Sequence, residues 1–272
     1  MYFIITNEEE NHNDFKYVTG LNIFKGKFND DPNQLCCKDG FCFMDAANIF
    51  KFFNHGIYLR VVTLPINNPE FRIIKDENKW RANMIILGKC YDLCNVETFK
   101  YLMECGVDIR ANNDFALRWC AKKGYLDVIK FLVENNANIH ADDDDALHLS
   151  AEHGHLSVIK YLVGVGAKIH AKNDYALHIS AKYGYLDIVK FLVDNGANVH
   201  ANNNDAFEQS VDFGHLSVVK YLVECGADIH SHNDYAFHSS VTLGYLDIYK
   251  FLAEKGSITN NDSALNTSAK CC

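Results

Sequence analysis

The chain lacks an excess of basic charge: 26 Lys and Arg stand against 35 Asp and Glu, a formal net charge of −9. Non-specific attraction to nucleic acid or to an anionic membrane surface comes mainly from Lys and Arg, so both partner classes are disfavoured. No apolar run approaches the roughly 20 residues needed to span a bilayer, and the start, MYFIITNEEE, is neither a signal peptide nor a span. Ten cysteines, at 36, 37, 42, 90, 94, 105, 120, 225, 271 and 272, form no C-x-x-C pair. That spacing is not the disulfide framework of a small secreted domain, so reduced thiols in a soluble cytoplasmic protein are the expectation. Signatures of common chemistry are missing too: G-x-x-x-x-G-K-[ST], G-x-G-x-x-G, G-x-S-x-G and H-E-x-x-H do not occur. Proline is scarce, at 3 residues, while Asn, Ile, Lys, Tyr and Phe abound. AT-rich coding produces that bias, so single Asn residues are given little weight.

What is present is enough material for one or two domains, 272 residues of which 48% are apolar, and a repeat. From Ala111 five segments of 30 residues follow one another without a gap: 111–140, 141–170, 171–200, 201–230 and 231–260. A fixed period in this range means a stack of supersecondary units. Each reads as two short helices. In the third unit Ala176, Leu177, Ser180 and Ala181 form one stripe and Gly184 breaks the helix; Leu186, Val189, Leu192 and Val193 form a second stripe that ends at Gly196-Ala197. Neither helix can bury its stripe alone, so the units must stack. The units also alternate: position fifteen runs Tyr125, His155, Tyr185, His215, Tyr245, and position seventeen runs Asp127, Ser157, Asp187, Ser217, Asp247. Copying of a 60-residue pair explains this better than independent drift.

These residues resemble the ankyrin repeat, whose members run about 33 residues with a T-P-L-H-x-A signature. Ala-Leu-His at 146–148 and 176–178, Gly-His-Leu at 154–156 and 214–216, and Gly-Ala at 166–167, 196–197 and 226–227 carry the match. The resemblance implies a mainly α solenoid of helix-turn-helix units. Two departures matter. The Thr-Pro pair is replaced, as by Tyr175-Ala176 and Asp205-Ala206, and Asp144 or Asp145, Asp174, Asp205 and Asp234 are expected to cap the helices in place of Thr. Each unit is also three residues short where the family carries its β-turn finger, so reduced fingers are expected and the helix-one surface becomes the contact face. Residues 81–110 keep the period through Leu87, Lys100, Tyr101, Leu102 and Gly106 and read as a degenerate first repeat. Residues 261–272 restart the unit and read as a partial C-terminal capping repeat.

Residues 1–80 differ in character. YFIIT (2–6), GFCFM (40–44), YLRVVTLP (58–65) and FRIIK (71–75) look like strands, and residues 45–56 place Ala46, Ile49, Phe50 and Phe53 on one helical face. A small α+β N-terminal domain is the expectation. Its run from Gly40 through Pro65 to Ala82 looks like the segment found ahead of ankyrin arrays in giant-virus proteins, a resemblance that names a lineage and not a reaction.

Chemical motifs have plainer readings. His140, His170, His200 and His230 form one column and His148, His178 and His238 another. Stacked helices lie about 8–10 Å apart while zinc holds nitrogens at about 2.1 Å, so these read as structural histidines bonded to neighbouring backbone. A calcium loop starting at Asp142 would need a glycine where Leu147 stands and an acid where His153 stands. Cys36-Cys37 with Cys42, and Cys90 with Cys94, lack a second matching pair, so no metal and no cofactor are assigned. Ser150, near His153, reads as a small residue that lets helices pack closely. Cys271-Cys272 resembles a prenylation terminus but lacks the polybasic second signal that stable anchoring needs.

Positions that vary between units point to partners. Arg118, Trp119, Lys122 and Lys123 in the first unit, His148, Glu152 and His153 in the second, His178, Lys182 and Tyr183 in the third, Glu208, Gln209, Asp212 and Phe213 in the fourth, and His238 in the fifth form the candidate partner-binding surface. In the ankyrin arrangement they lie on or beside the concave face, and Trp119, Tyr183 and Phe213 are the candidate aromatic anchors. The units sum to +1, −3, 0, −4 and −1 in order, which favours a partner of basic character toward the C-terminal half. The function expected is a monomeric, non-enzymatic scaffold in the cytoplasm, a host cell's if the chain is viral, gripping a host or viral protein. The alternative is a small enzyme in residues 1–80 that uses His12, His55, Tyr58 and Arg60 while the array recruits its substrate.

Overall fold

A computed structural model describes residues 1–12, 15–29, 39–76 and 79–256. Cys36, Cys37, Cys271, Cys272, the end of the fifth unit and the capping segment expected over residues 261–272 lie outside the described residues, as does the side chain of His12. Two compact units are formed: Met1–Cys120 with Asp127–Asn138, and Ala121–Leu126 with the chain from Ile139 onward.

The first unit opens with strands β1 (Tyr2–Thr6), β2 (Asn11–His12), β3 (Phe15–Lys16), β4 (Gly20–Ile23) and β5 (Phe41–Asp45). A 3-10 helix (Ala46–His55) and strands β6 (Tyr58–Thr63), β7 (Ile73–Asp76), β8 (Lys79–Ala82) and β9 (Met84–Asp92) follow. Seven strands form one sheet in the order β4-β9-β6-β1-β5-β8-β7, with every neighbour antiparallel; β1 pairs β6 so that Phe3 faces Val61 and Ile4 faces Arg60. Ile4, Phe41, Phe43, Val62, Ile85 and Leu87 form its buried cluster. The 3-10 helix starts where the Asp45 side chain accepts from Asn48 N, and it buries Ile49, Phe50 and Phe53. Cys42 is disulfide-bonded, which corrects an all-thiol reading; Cys90, Cys94, Cys105, Cys120 and Cys225 are free thiols. The sheet continues past the boundary expected at residue 80: β8 ends at Ala82 and β9 runs from Met84 to Asp92, and only α1 (Val96–Glu104) has the place of a repeat's second helix.

Helices then alternate as the period requires: α2 (Ala111–Lys123), α3 (Leu126–Glu134), α4 (Ala141–Glu152), α5 (Leu156–Gly164), α6 (Tyr175–Lys182) and α7 (Leu186–Asp194), with α8 (Ala201–Asp212), α9 (Leu216–Glu224), α10 (Ser231–Thr242) and α11 (Leu246–Lys255) completing the series. In α7 the stripe of Ile188, Val189 and Leu192 is buried, each side chain contributing about 1.5–3 kcal/mol on leaving water. Within the second unit the first helices of the repeats, α4, α6, α8 and α10, approach one another more closely than the second helices do. Ser150, Ser180, Ser210 and Ser240 make this possible: all are fully buried, and each donates its hydroxyl to a carbonyl of its own helix at 2.6–2.9 Å. The recurring Lys-aromatic pair forms a ladder between second helices, Lys160 Nζ lying 5.8 Å from the Phe191 ring, Lys190 5.8 Å from Tyr221 and Lys220 5.7 Å from Phe251.

The repeat junctions account for the Asn-rich composition. No β-strand occurs between Leu93 and Gly256. Where a finger would project, each unit instead holds three consecutive residues in the left-handed region: Asn112 to Asp114, Asp142 to Asp144, Lys172 to Asp174, Asn202 to Asn204 and His232 to Asp234, with φ between 47° and 67°. This conformation costs most L-residues about 1–2 kcal/mol and is visited most readily by Asn and Asp after Gly, so Asn at these sites is selected by backbone geometry. The third residue of each triplet does not cap its own helix as expected. Asp174 stands at the N-cap of α6 without a capping bond. It accepts instead from the amide of Asn198, 24 residues later, at 3.0 Å. Asp114, Asp144 and Asn204 accept in the same way from Asn138, Lys168 and Asp228. The side chain thereby ties one junction to the next. Replacing Asn203 (φ 60°) by Val should lower stability by about 1–2 kcal/mol in a urea melt, whereas Asn203→Gly should leave it unchanged or raise it; equal midpoints for the two would contradict the left-handed assignment.

Candidate partner-binding surface

The first histidine column, His140, His170, His200 and His230, is structural, with a partner different from the one expected. Nδ1 of His140, His170 and His230 donates to the carboxylates of Asp144, Asp174 and Asp234 at 3.0, 3.0 and 2.5 Å, and His200 donates to the Asn204 side chain at 3.0 Å. The bond is to the junction side chain four residues on, buried at Asp144, Asp174 and Asn204 and half-buried at Asp234, so this column braces the left-handed turns. His155 and His215 do reach backbone, donating from Nε2 to the carbonyls of Lys122 and Lys182 at 3.0 and 2.8 Å.

The fifteen surface candidates separate into three groups. Two are buried, and the binding assignment is corrected for both. Trp119 is 2% exposed and packs edge-to-face on Phe53 at 5.0 Å between centroids. His148 is 3% exposed, lies against Tyr175 at 5.3 Å, and has no hydrogen-bond partner at either ring nitrogen. Burial, assisted by nearby Lys172, lowers its pKa below the ordinary 6.5, so it serves as a neutral core ring.

A second group is half-buried, and several members are committed to neighbouring repeats. His178 meets Asp205 at 2.5 Å. Glu208 accepts from the Ser231 hydroxyl at 2.8 Å and from His232 at 2.6 Å, and Asp212 accepts from Tyr235 and Ser239. Arg118 turns back to the carbonyls of Asn113 and Asn112 at 3.1 and 3.2 Å, satisfying the left-handed turn. Lys122, Glu152, Gln209 and His238 are half-buried beside them. Lys182 places Nζ 5.1 Å from the Phe213 ring and 5.9 Å from Tyr183.

The third group is one column, position thirteen of each unit: Lys123, His153, Tyr183, Phe213 and Leu243, all exposed. Tyr183, Phe213 and Leu243 are 43, 48 and 49% exposed, large apolar side chains left in water at the end of each first helix. Leu243, a variable position outside the fifteen candidates, joins the column by its register at position thirteen. Tyr175 and Tyr235, also partly exposed, stand at position five of alternate units.

In the N-terminal sheet, among the described residues, His55 does not share a site with Tyr58 and Arg60. Arg60 is 5% exposed and holds Glu10 in a two-bond ion pair at 2.7 and 2.6 Å, its remaining donors reaching Thr19 and Gly88. The Arg60 hydrogen bond keeps the Glu10 carboxyl below its ordinary pKa against the opposing effect of burial. His55 lines a separate cavity of about 130 Å³ with Thr6, Asn7, Asn11 and Tyr17, which neither Tyr58 nor Arg60 enters. Among the described residues no cluster of three His, Cys, Asp or Glu could hold a metal ion, and no helix is long and apolar enough to cross a membrane.

Comparison with known proteins places this geometry. A family model for ankyrin repeats in three copies matches residues 54–143, 89–173, 147–233 and 177–263. Three relatives come from Acanthamoeba polyphaga mimivirus. R869, whose name assigns no function, is 45% identical over 129 residues, 47% of this chain and 94% of its own length. R868, named for ankyrin repeats, is 43% identical over 130 residues, 47% of this chain and 64% of its own. R229, named likewise, is 46% identical over 120 residues, 42% of this chain but 38% of its own. The match thus spans most of one relative and a smaller share of the other two.

Proposed function

The chain belongs to the ankyrin-repeat family, whose repeats serve generally as protein–protein interaction modules, and on that premise we propose that it is a monomeric, non-enzymatic adaptor whose helix-one surface grips a protein partner. The supporting observation is the column of Tyr183, Phe213 and Leu243, which exposes large apolar side chains in a family whose business is binding proteins. With the finger replaced by a left-handed turn, recognition falls to this surface. The mimivirus relatives support a viral setting, in which the partner is a host or viral protein in the host cytoplasm and the N-terminal sheet is a second adaptor surface.

The test is capture by the full chain carrying a photo-cross-linking residue at position 213 in expressing cells, alongside the Tyr183→Ala/Phe213→Ala variant in an affinity pull-down. Exposed anchors of this kind contribute about 2 kcal/mol each to an interface, so the double variant should capture at least tenfold less partner while its unfolding midpoint stays close to that of the parent. Undiminished capture would remove the helix-one surface from consideration.

A further inference from the structure

Resting on that adaptor reading, we propose that the Phe213–Leu243 end of the column receives a basic peptide segment in which an apolar side chain recurs at every third residue with Arg or Lys beside it. The column residues are also helix ends: His153, Tyr183, Phe213 and Leu243 are the C-caps of α4, α6, α8 and α10. Stacked first helices therefore present their C-termini side by side, each carrying about half a negative charge from aligned peptide dipoles. Such an end is ordinarily met by a cation in the last turn. α6 has one, Lys182, but α4, α8 and α10 have none. Two of these ends carry an acid instead, Glu152 on α4 and Asp212 on α8.

Asp212 is held by the hydroxyls of Tyr235 and Ser239, neutral donors that leave its charge in place. Lys182 covers part of Phe213, and beyond it the Leu243 end has no cation of its own in the last turn of α10. Residues 141–256 sum to −8, so the surrounding field has the same sign as the helix ends. Apolar contact alone would admit any greasy segment. Apolar side chains at uncompensated helix C-termini select one that brings its own cations. Stacked helices are about 8–10 Å apart, and one turn of a polyproline II segment, three residues, advances about 9 Å and returns its side chains to the same face, so successive anchors of the segment fall at every third residue.

The experiment titrates the full chain into a fluorescein-labelled twelve-residue peptide with Leu at every third position and Arg beside each Leu, and into a twin with Glu in place of Arg. The basic peptide should bind at least tenfold more tightly than the twin and weaken as salt rises. Phe213→Ala and Leu243→Ala should each cost it tenfold or more, and Asp212→Asn about threefold, with circular dichroism confirming the fold. Equal binding of the twin, or basic-peptide binding that ignores Phe213→Ala, overturns the proposal, the latter because it would show diffuse attraction to an acidic protein. If neither peptide binds while Phe213→Ala still reduces capture from cells, the partner chemistry is wrong and the adaptor reading stands. If capture is unaffected as well, the adaptor reading falls with it.

Discussion

Trp119→Ala should lower the stability of the chain by about 3–5 kcal/mol, the range for removing a fully buried large aromatic, while leaving partner capture per folded molecule unchanged. The indole is 2% exposed and meets Phe53 at 5.0 Å with planes at 71°, an edge-to-face contact that adds to the area term. Phe53, itself 0% exposed, also touches Phe50, Phe99 and Phe115 at centroid distances of 4.9, 6.2 and 6.4 Å. Deleting the indole would leave a void inside an aromatic cluster whose other members are held by the 3-10 helix, α1 and α2, so little collapse can refill it. Trp119→Phe keeps an edge for Phe53 and should cost less than half as much. Guanidinium unfolding of the full chain, followed by pull-down of the fraction still folded, separates the two roles. If Trp119→Ala unfolded within 1 kcal/mol of the parent yet lost its partner, Trp119 would be an anchor after all.

That residue shows where sequence reasoning stops. The thirty-residue period and the two helical stripes could be read from spacing alone, because each unit must bury its own apolar face. The reduced finger followed from a missing three residues. Position nine, however, is set by what lies over it: Trp119 and Ile179 are buried whereas Leu149, Gln209 and Ser239 are half-buried, and nothing within a unit says that the first copy meets Phe53. β9 was hidden for a related reason, since Leu87 fell in register with the repeat while pairing with Gly20 and lying close to Val62 in the sheet. The junction triplets were legible in principle. Asn or Asp fills most of the fifteen triplet places, and a positional bias of that kind signals a left-handed backbone, which bulk composition alone does not show. Position thirteen is legible in the sequence as variable, but its exposure, against the burial of His148 and Trp119, is set by the packing of each side chain.

Gly184→Ala is the second large effect, about 3–6 kcal/mol, and the same contact accounts for a flat ring, His or Tyr, at position fifteen. Gly184 has φ +73°, and a Cβ there would lie 2.4 Å from Nδ1 and 2.7 Å from Cγ of His215. The ring cannot simply swing away, because its Nε2 donates to the Lys182 carbonyl at 2.8 Å. Alanine therefore adds left-handed strain of about 1–2 kcal/mol, overpacking of about 1–3 and a weakened hydrogen bond of about 1. The same close approach recurs as His155 over Gly124, Tyr185 over Gly154 and Tyr245 over Gly214, so position fifteen takes a flat ring and position fourteen takes no side chain. Gly196 supplies the control: φ is +99° but nothing lies within 4 Å, so Gly196→Ala should show the backbone cost alone, about 1–2 kcal/mol. A double-mutant cycle then isolates the clash. Once His215→Ala has removed the ring, adding Gly184→Ala should cost no more than Gly196→Ala does, and a cost undiminished from that in the parent would mean that the ring is not what the glycine accommodates. Because Tyr183 immediately precedes this turn, a Gly184→Ala variant that still folds should also bind its partner less well, which ties the packing of one repeat on the next to the placement of the binding column.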